Sequence, residues 1–333
     1  MNILSVDPET PAPEALQRAA EVLRGGGLVA FPTETVYGLG AHALDPAAVA
    51  RIYAAKGRPA YNPLIVHVAG VDAARALARE WSDAAGRLAE RFWPGPLTLV
   101  VPRTDGLPDA VSAGLPTVAL RVPGHPVALG LLEAAGVPVA APSANRSTQV
   151  SPTTAQHVRR GLGGAVDLIL DGGPCPVGIE STVLSLAGEV PTILRPGSVS
   201  LDEIAAVVGE VAPSPGEAPR AGAALPSPGM MDRHYAPRAE VRLFDPAERE
   251  RVFGRSAWAA GEVGTVGVIA FAPAAAASGE VIEMPADARA YAARLYAALH
   301  DLDERGCAIV WIEQVPEDAA WAGVRDRLRR AAA

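Results

Sequence analysis

Lysine is nearly absent from this chain: of 29 basic residues, Lys56 is the single lysine and the rest are arginine. Cysteine is scarce too, with Cys175 and Cys307 far apart in sequence. That pattern excludes a disulfide framework and fits a reduced, cytoplasmic protein. Aromatic residues make up only 5% of the chain, and the net charge is −8 with a pI near 5.3. An acidic total argues against non-specific coating of nucleic acid, although a local cationic pocket remains compatible with it. No run of 18 apolar residues occurs, which excludes a membrane-spanning helix. The N-terminus shows no basic region followed by an apolar stretch, so no signal peptide is expected. Neither a Gly-x-x-x-x-Gly-Lys-Ser/Thr loop nor a Gly-x-Gly-x-x-Gly turn after a strand is present. A nucleotide site here would have to use side-chain cations and hydroxyls in place of a glycine cradle. The histidines show no metal-ligand spacing, so no structural zinc site or other protein metal site is expected.

At 333 residues the chain is long enough for two domains. Residues 13–24 carry a helical pattern that ends at Gly25-Gly26-Gly27, and a short strand, 28–31, follows. Asp45-Pro46 starts a helix expected to end near Ala54, which would leave Lys56 and Arg58 in the next loop. Strands are expected at 64–68, 97–101, 118–122, 137–140 and 168–170. Helices are expected at 72–80, 82–92, 126–135, 153–160 and 201–208. Segments 183–186 and 191–194 read as a hairpin, so the sheet should be mixed. Residues 212–238 are rich in proline and glycine and read as a linker. Beyond it, strands 240–244, 265–271 and 308–313 alternate with helices 245–254, 287–304 and 317–330. The expected layout is therefore a catalytic α/β domain over 1–211, a linker and candidate lid over 212–238, and a smaller α/β accessory domain over 239–333.

Groups able to bind anions gather at strand ends. Lys56-Gly57-Arg58-Pro59 reads as an anion clamp, or as a solvated loop with two cations. Lysine is a mobile point charge and arginine a rigid fork, so the lone lysine suits one phosphate oxygen. Phe31–Gly40 follows a strand with Thr33 and Thr35 hydroxyls, which serve either a ligand or a tight turn. His67 sits within an apolar strand, where a satisfied core histidine is the commoner case. Thr117 and Arg121 lie four apart and share a strand face. A buried arginine there needs an anion, which could be a core carboxylate or a bound ligand. Ser143 and Asn145 alternate with small residues that let a ligand approach the backbone. Ser151 could cap the following helix. Gly178–Thr182 and Arg195-Pro196-Gly197 add a hydroxyl and a cation. This recurrent set of hydroxyl, amide and cation suits phosphoryl or nucleotidyl transfer better than hydrolysis through a covalent nucleophile.

Together these runs resemble the threonylcarbamoyl-AMP synthase family, with its YrdC-type fold. The matching pieces are Phe31–Gly40, Lys56-Gly57-Arg58-Pro59 with Asn62-Pro63-Leu64, Trp93-Pro94-Gly95-Pro96, Thr117–Arg121, Ala141–Asn145, Ser151-Pro152-Thr153, Gly178–Thr182 and Arg195-Pro196-Gly197. They occur in family order over about residues 10–205, and Ser227–Pro237 resembles the linker of the long, two-domain members. The resemblance implies a mixed, twisted sheet around a concave cavity plus a Rossmann-like C-terminal domain. It also implies the condensation of L-threonine, bicarbonate and ATP, with Mg²⁺ expected, to threonylcarbamoyl-AMP and pyrophosphate. Downstream tRNA threonylcarbamoyl transferase proteins would use that product, and direct tRNA binding is left open. By the same resemblance Thr33, His67, Arg121, Ala141 and Ser181 surround threonine. Lys56, Arg58, Ala60, Thr117, Ser143, Asn145, Ser151, Arg195 and Tyr235 surround ATP, with Lys56 and Arg58 catalytic. Members often carry a lysine where this chain has Met231, and Arg233 is the candidate replacement. A 27-residue linker spans roughly 30 Å against a domain radius of about 17 Å, so Tyr235 could reach the pocket. The competing reading is a double-stranded RNA or tRNA-binding module with a YrdC-type cavity. A carbamoyl-transfer domain like those of hydrogenase maturation proteins is a third, but its usual extra segments are missing.

Overall fold

The computed structural model describes residues 2–213, 224–253, 265–272 and 280–333. Ten strands form one sheet: β1 (Asn2–Ser5), β2 (Val29–Phe31), β3 (Gly38–His42), β4 (Ile65–His67), β5 (Leu97–Pro102), β6 (Thr117–Arg121), β7 (Val139–Ala140), β8 (Leu168–Asp171), β9 (Thr182–Ser185) and β10 (Thr192–Arg195). Their order is β1-β8-β2-β3-β7-β4-β6-β5-β9-β10. Parallel pairs such as β4 with β6 and β5 with β9 sit beside antiparallel pairs such as β2 with β3, β5 with β6 and β9 with β10, so the sheet is mixed. Strand alternation sends successive side chains to opposite faces. Val29 and Phe31 accordingly join a core under the helices Pro13–Arg24 and Pro126–Ala135, while Leu28 and Ala30 join the larger core on the other face.

Local rules account for many boundaries. Asp45 caps the helix Pro46–Lys56 by accepting from the Ala47 amide at 2.9 Å, with Pro46 at the first helical position. That helix runs two residues beyond the expected end, and Gly57 closes it in the left-handed region (φ 60°). Lys56 is thus the last helical residue, and Arg58 alone lies in the loop. The helix Ala155–Leu162 is capped by Thr154, not by Ser151. β3 was not expected: Gly38-Leu39-Gly40 reads as a turn, yet it pairs with both β2 and β7.

A second, all-parallel sheet has the order β11-β14-β12-β13, with β11 (Glu240–Phe244), β12 (Thr265–Ala270), β13 (Glu280–Glu283) and β14 (Cys307–Glu313). Helices Ala288–Glu304 and Ala322–Ala331 accompany it. β13 is an addition to the expected strands. The expected helix 245–254 is a 3₁₀ turn over Pro246–Glu248 followed by helix Arg249–Phe253, and residue 254 lies outside the described residues. The two sheets do not have wholly separate cores. Val36, Val150 and Ile179 share one cluster with Tyr235, Tyr291, Tyr296, Trp321 and Val324. Among the described residues no helix is long and apolar enough to cross a membrane.

Candidate active site

The carboxyl ends of β4, β6 and β10, the turn after β2 and the segment after β7 converge on one cavity of about 40 Å³. Thr33, Arg58, His67, Arg121, Ala141, Ser143, Ser181, Arg195 and Tyr235 all line it. Lys56, Asn145 and Ser151 stand directly behind this lining. The Lys56 Nζ donates to the Ser143 carbonyl at 2.6 Å and the Asn145 carbonyl at 2.5 Å. Ser151 Oγ donates to Glu180 Oε1 at 2.5 Å, and Glu180 is a wall residue. Thr117 and Ala60 are not brought in. Thr117 is half-buried at the opposite end of β6, and Ala60 is exposed after the Lys-Arg turn.

Cations dominate the wall. Arg58 is buried and reaches only the oxygens of its own loop: Asn62 O at 3.0 Å, Asn62 Oδ1 at 2.5 Å and Pro63 O at 2.6 Å. Burial lowers its pKa to about 10. Arg195 donates to the Ser181 carbonyl at 2.9 Å, to Ser181 Oγ at 3.2 Å and to the Pro228 carbonyl at 3.2 Å. Lys56 is pushed well below its ordinary value, by burial first and then by the neighbouring Arg58, with Glu180 pulling the other way. None of these three has a carboxylate within ion-pair distance among the described residues.

The other end of the cavity differs. Arg121 Nη2 lies 2.7 Å from Glu34 Oε1, at an angle that leaves both atoms without a hydrogen bond. Its Nη1 donates to Thr35 Oγ1 at 3.0 Å and its Nε to the Gly95 carbonyl at 3.2 Å. The buried arginine has thus found the core carboxylate that its burial called for. Thr33 Oγ1 accepts from the amides of Thr35 and Val36 at 3.2 Å and donates to the Val36 carbonyl at 2.6 Å, so it builds the turn as well as lining the cavity. His67 stands beside Arg121 in register across β4 and β6. Burial, and then Arg121, hold its pKa down to about 3, so the ring is neutral at pH 7, and its Nδ1 has no partner. A core histidine with an orphaned nitrogen facing a cavity is placed to meet a ligand atom.

The chain after residue 224 closes the cavity. Leu225 and Met230 pack on Ile65, Val100, Ala119, Val183 and Leu194, and the Leu225 amide donates to the Tyr61 carbonyl at 2.9 Å. Tyr235 is 1% exposed with φ of 61°, and its hydroxyl has no partner among the described residues. His234 is buried beside it, held by burial near a pKa of 3, with Nδ1 unpaired. Met231 Sδ accepts from Asn62 Nδ2 at 3.6 Å, on the residue that also holds Arg58. Arg233 does not substitute for a lysine there: its guanidinium turns to the Ala333 carbonyl at 3.1 Å.

Glu34, Glu180 and His234 were missed as individual site residues. All three lie inside the matching motifs, beside Thr33, Ser181 and Tyr235, but burial against the cavity cations is visible only in three dimensions.

A family model of the Sua5, YciO and YrdC group, described as telomere recombination, matches residues 21–197. A second, described as threonylcarbamoyl-AMP synthase, C-terminal domain, matches residues 199–333. A threonylcarbamoyl-AMP synthase of Pyrococcus abyssi is 43% identical over 94% of this chain and 92% of its own length. A putative threonylcarbamoyl-AMP synthase of Mycobacterium tuberculosis is 41% identical over 61% of this chain and 93% of its own length. A solved structure of P. abyssi Sua5 complexed with L-threonine covers 100% of this chain and 98% of that one, with a TM-score of 0.93 and 43% identity.

Proposed function

The chain belongs to the threonylcarbamoyl-AMP synthase family, and from that premise we propose that its cavity condenses L-threonine, bicarbonate or CO₂, and ATP. The products are threonylcarbamoyl-AMP and pyrophosphate, which makes the protein a nucleotidyltransferase. The observation that carries this reading is the set of three buried cations, Lys56, Arg58 and Arg195, that meet only neutral oxygens around one cavity. An uncompensated buried charge is costly, and a polyanion arriving there relieves the cost.

The two ends divide the substrates. Threonine takes the Arg121 end: its carboxylate exchanges with Glu34 for the guanidinium fork, while His67, Thr33, Ala141 and Ser181 enclose the rest. The triphosphate takes the other end, against Arg58, Ser143, Arg195 and Tyr235, with Lys56, Asn145 and Ser151 behind them. The neutral threonine amine attacks CO₂ and releases one N–H proton to water, leaving a carbamate anion. A carbamate oxygen attacks the α-phosphate, the bond to the β-phosphate breaks and pyrophosphate leaves. Lys56 and Arg58 stabilise the charge that develops. The carbamate is short-lived in water, and a largely buried wall shields it.

A cavity of about 40 Å³ is far below the roughly 300 Å³ of small ligand pockets. Nucleotide entry therefore requires the 224–238 segment to swing out, and Tyr235 re-closes over the bound molecule. Mg²⁺ would enter with the nucleotide, bridging its phosphate oxygens. The product would pass to cytoplasmic proteins that transfer the threonylcarbamoyl group to tRNA. The test is pyrophosphate release from ATP and bicarbonate with each amino acid in turn. Threonine-dependent release is the expected result. No release with any amino acid, together with tight RNA binding, would point to an RNA-binding module instead.

A further inference from the structure

The largest fully buried side chain among the described residues lies not in the cavity domain but on helix Ala322–Ala331: Arg327. Its Nε donates to Glu180 Oε2 at 2.9 Å, its Nη2 to the Glu180 carbonyl at 3.3 Å and its Nη1 to the Pro196 carbonyl at 2.6 Å. Its guanidinium carbon sits 5.0 Å from the centre of the Tyr235 ring, within cation–π range. Glu180 in turn accepts from Ser151 Oγ at 2.5 Å and from Tyr296 Oη at 2.9 Å. One residue of the C-terminal part thus holds two groups on the nucleotide side, Ser151 through Glu180 and Tyr235 directly.

The docking that delivers Arg327 is backbone on backbone. A Cβ on Gly323 would lie 2.7 Å from the Gly197 carbonyl oxygen, and one on Gly178 would lie 2.4 Å from the Ala292 carbonyl oxygen. Both C-terminal helices therefore press on the two loops that carry Glu180 and Arg195. Glu180 also faces Arg195 from β10, Lys56 from its helix end, and His234 and Tyr235 from the linker. A carboxylate in that company can order the wall only while ionised. If protonated, it surrenders the ion pair and leaves buried Arg327 with Asp326, at 3.0 Å, as its remaining counter-charge.

We propose that Arg327 is a positioning residue of the nucleotide pocket: it clamps the Glu180 carboxylate that orients Ser151 and it seats the Tyr235 ring, which makes the C-terminal part a working wall of the site. The proposal rests on the function inferred above. Burial alone would raise the Glu180 pKa, but Arg327 first and then Arg195 bring it down to about 2. Removing Arg327 takes away the larger of these two charges and leaves Arg195 and the Ser151 hydrogen bond, so the Glu180 pKa rises.

The experiment uses the full chain and compares wild type with Arg327→Met, Arg327→Lys and Glu180→Gln. Folding is checked by calorimetry, threonine-dependent pyrophosphate release is measured from pH 5.5 to 9, and binding of a non-hydrolysable ATP analogue is titrated. Arg327→Met should raise the KM for ATP tenfold or more and shift the threonine KM less than threefold. Its kcat/KM should also gain an acidic limb that wild type lacks. Glu180→Gln should share the ATP defect without the limb, because nothing remains to titrate, and Arg327→Lys should fall between. A folded Arg327→Met with wild-type ATP KM and pH profile overturns the proposal. Equal losses for ATP and threonine with no new limb also overturn it, showing a merely structural role. If Arg327→Met does not fold, Glu180→Gln decides, and wild-type analogue affinity there counts against the clamp. A wild-type protein that releases no pyrophosphate refutes the proposed reaction, while the analogue titration still reads the Arg327 effect.

Discussion

The two ends of the cavity solve the problem of a buried cation differently. Arg121 brings its own counter-ion, Glu34 at 2.7 Å, and is nearly neutralised before any ligand arrives. Among the described residues Lys56, Arg58 and Arg195 have carbonyl, amide and hydroxyl oxygens but no carboxylate at contact distance. A pre-paired arginine gives up one carboxylate for another, so the exchange yields selectivity and little net attraction. Unpaired cations store electrostatic cost that a multiply charged ligand relieves, and they reserve their strongest interaction for charge that grows during reaction. The contrast assigns binding of a small zwitterion to the first end and transition-state stabilisation to the second.

Three measurements press on that contrast. The largest effect should come from Lys56→Ala, which should lower the turnover for pyrophosphate release by about 10²–10³-fold if the ammonium meets developing charge. A wild-type rate would show that the unpaired end is not catalytic. Next, Arg121→Ala should weaken threonine binding by about 1.5–3 kcal/mol, the range for a charged hydrogen bond, and should disturb nucleotide binding little. Calorimetric titration with threonine checks this, and unchanged affinity would leave Arg121 as a partner for Glu34 alone. The smallest effect is protonic. Burial depresses the Lys56 pKa in the described structure, and a bound polyphosphate should raise it again. Nucleotide binding should then be coupled to proton uptake in the pH range where the free Lys56 titrates, seen as an enthalpy that varies with buffer ionisation heat. At the Arg121 end, threonine binding should show no such uptake from lysine, and equal uptake at both ends would erase the distinction.

Much of this arrangement was legible in the chain, for reasons that differ by residue. Asp45-Pro46 encodes a helix start through local capping, and the structure begins the helix at Pro46. The solitary lysine and its arginine neighbour left an anion clamp and a solvated loop equally open, and both residues lie buried at or directly behind the cavity wall. Arg121 on an otherwise apolar strand announced an anion but could not say whether it was internal. Glu34, 87 positions earlier, was beyond local inference. β3 was hidden because its glycines read as a turn, and only pairing on both sides makes Gly38–His42 extended. Ser151 looked like a helix cap and proved to be a donor to Glu180, because Thr154 took the capping position. The Glu180–Arg327 contact spans 147 residues, and no periodicity or composition records it.

The cluster joining Val36, Val150 and Ile179 to Tyr291, Tyr296 and Trp321 through Tyr235 has a thermodynamic consequence. Neither sheet can lose its packing without baring apolar surface on the other. Calorimetric heating should accordingly dissolve both in a single endotherm whose van't Hoff and calorimetric enthalpies agree, where two independently folded lobes would melt in separate steps.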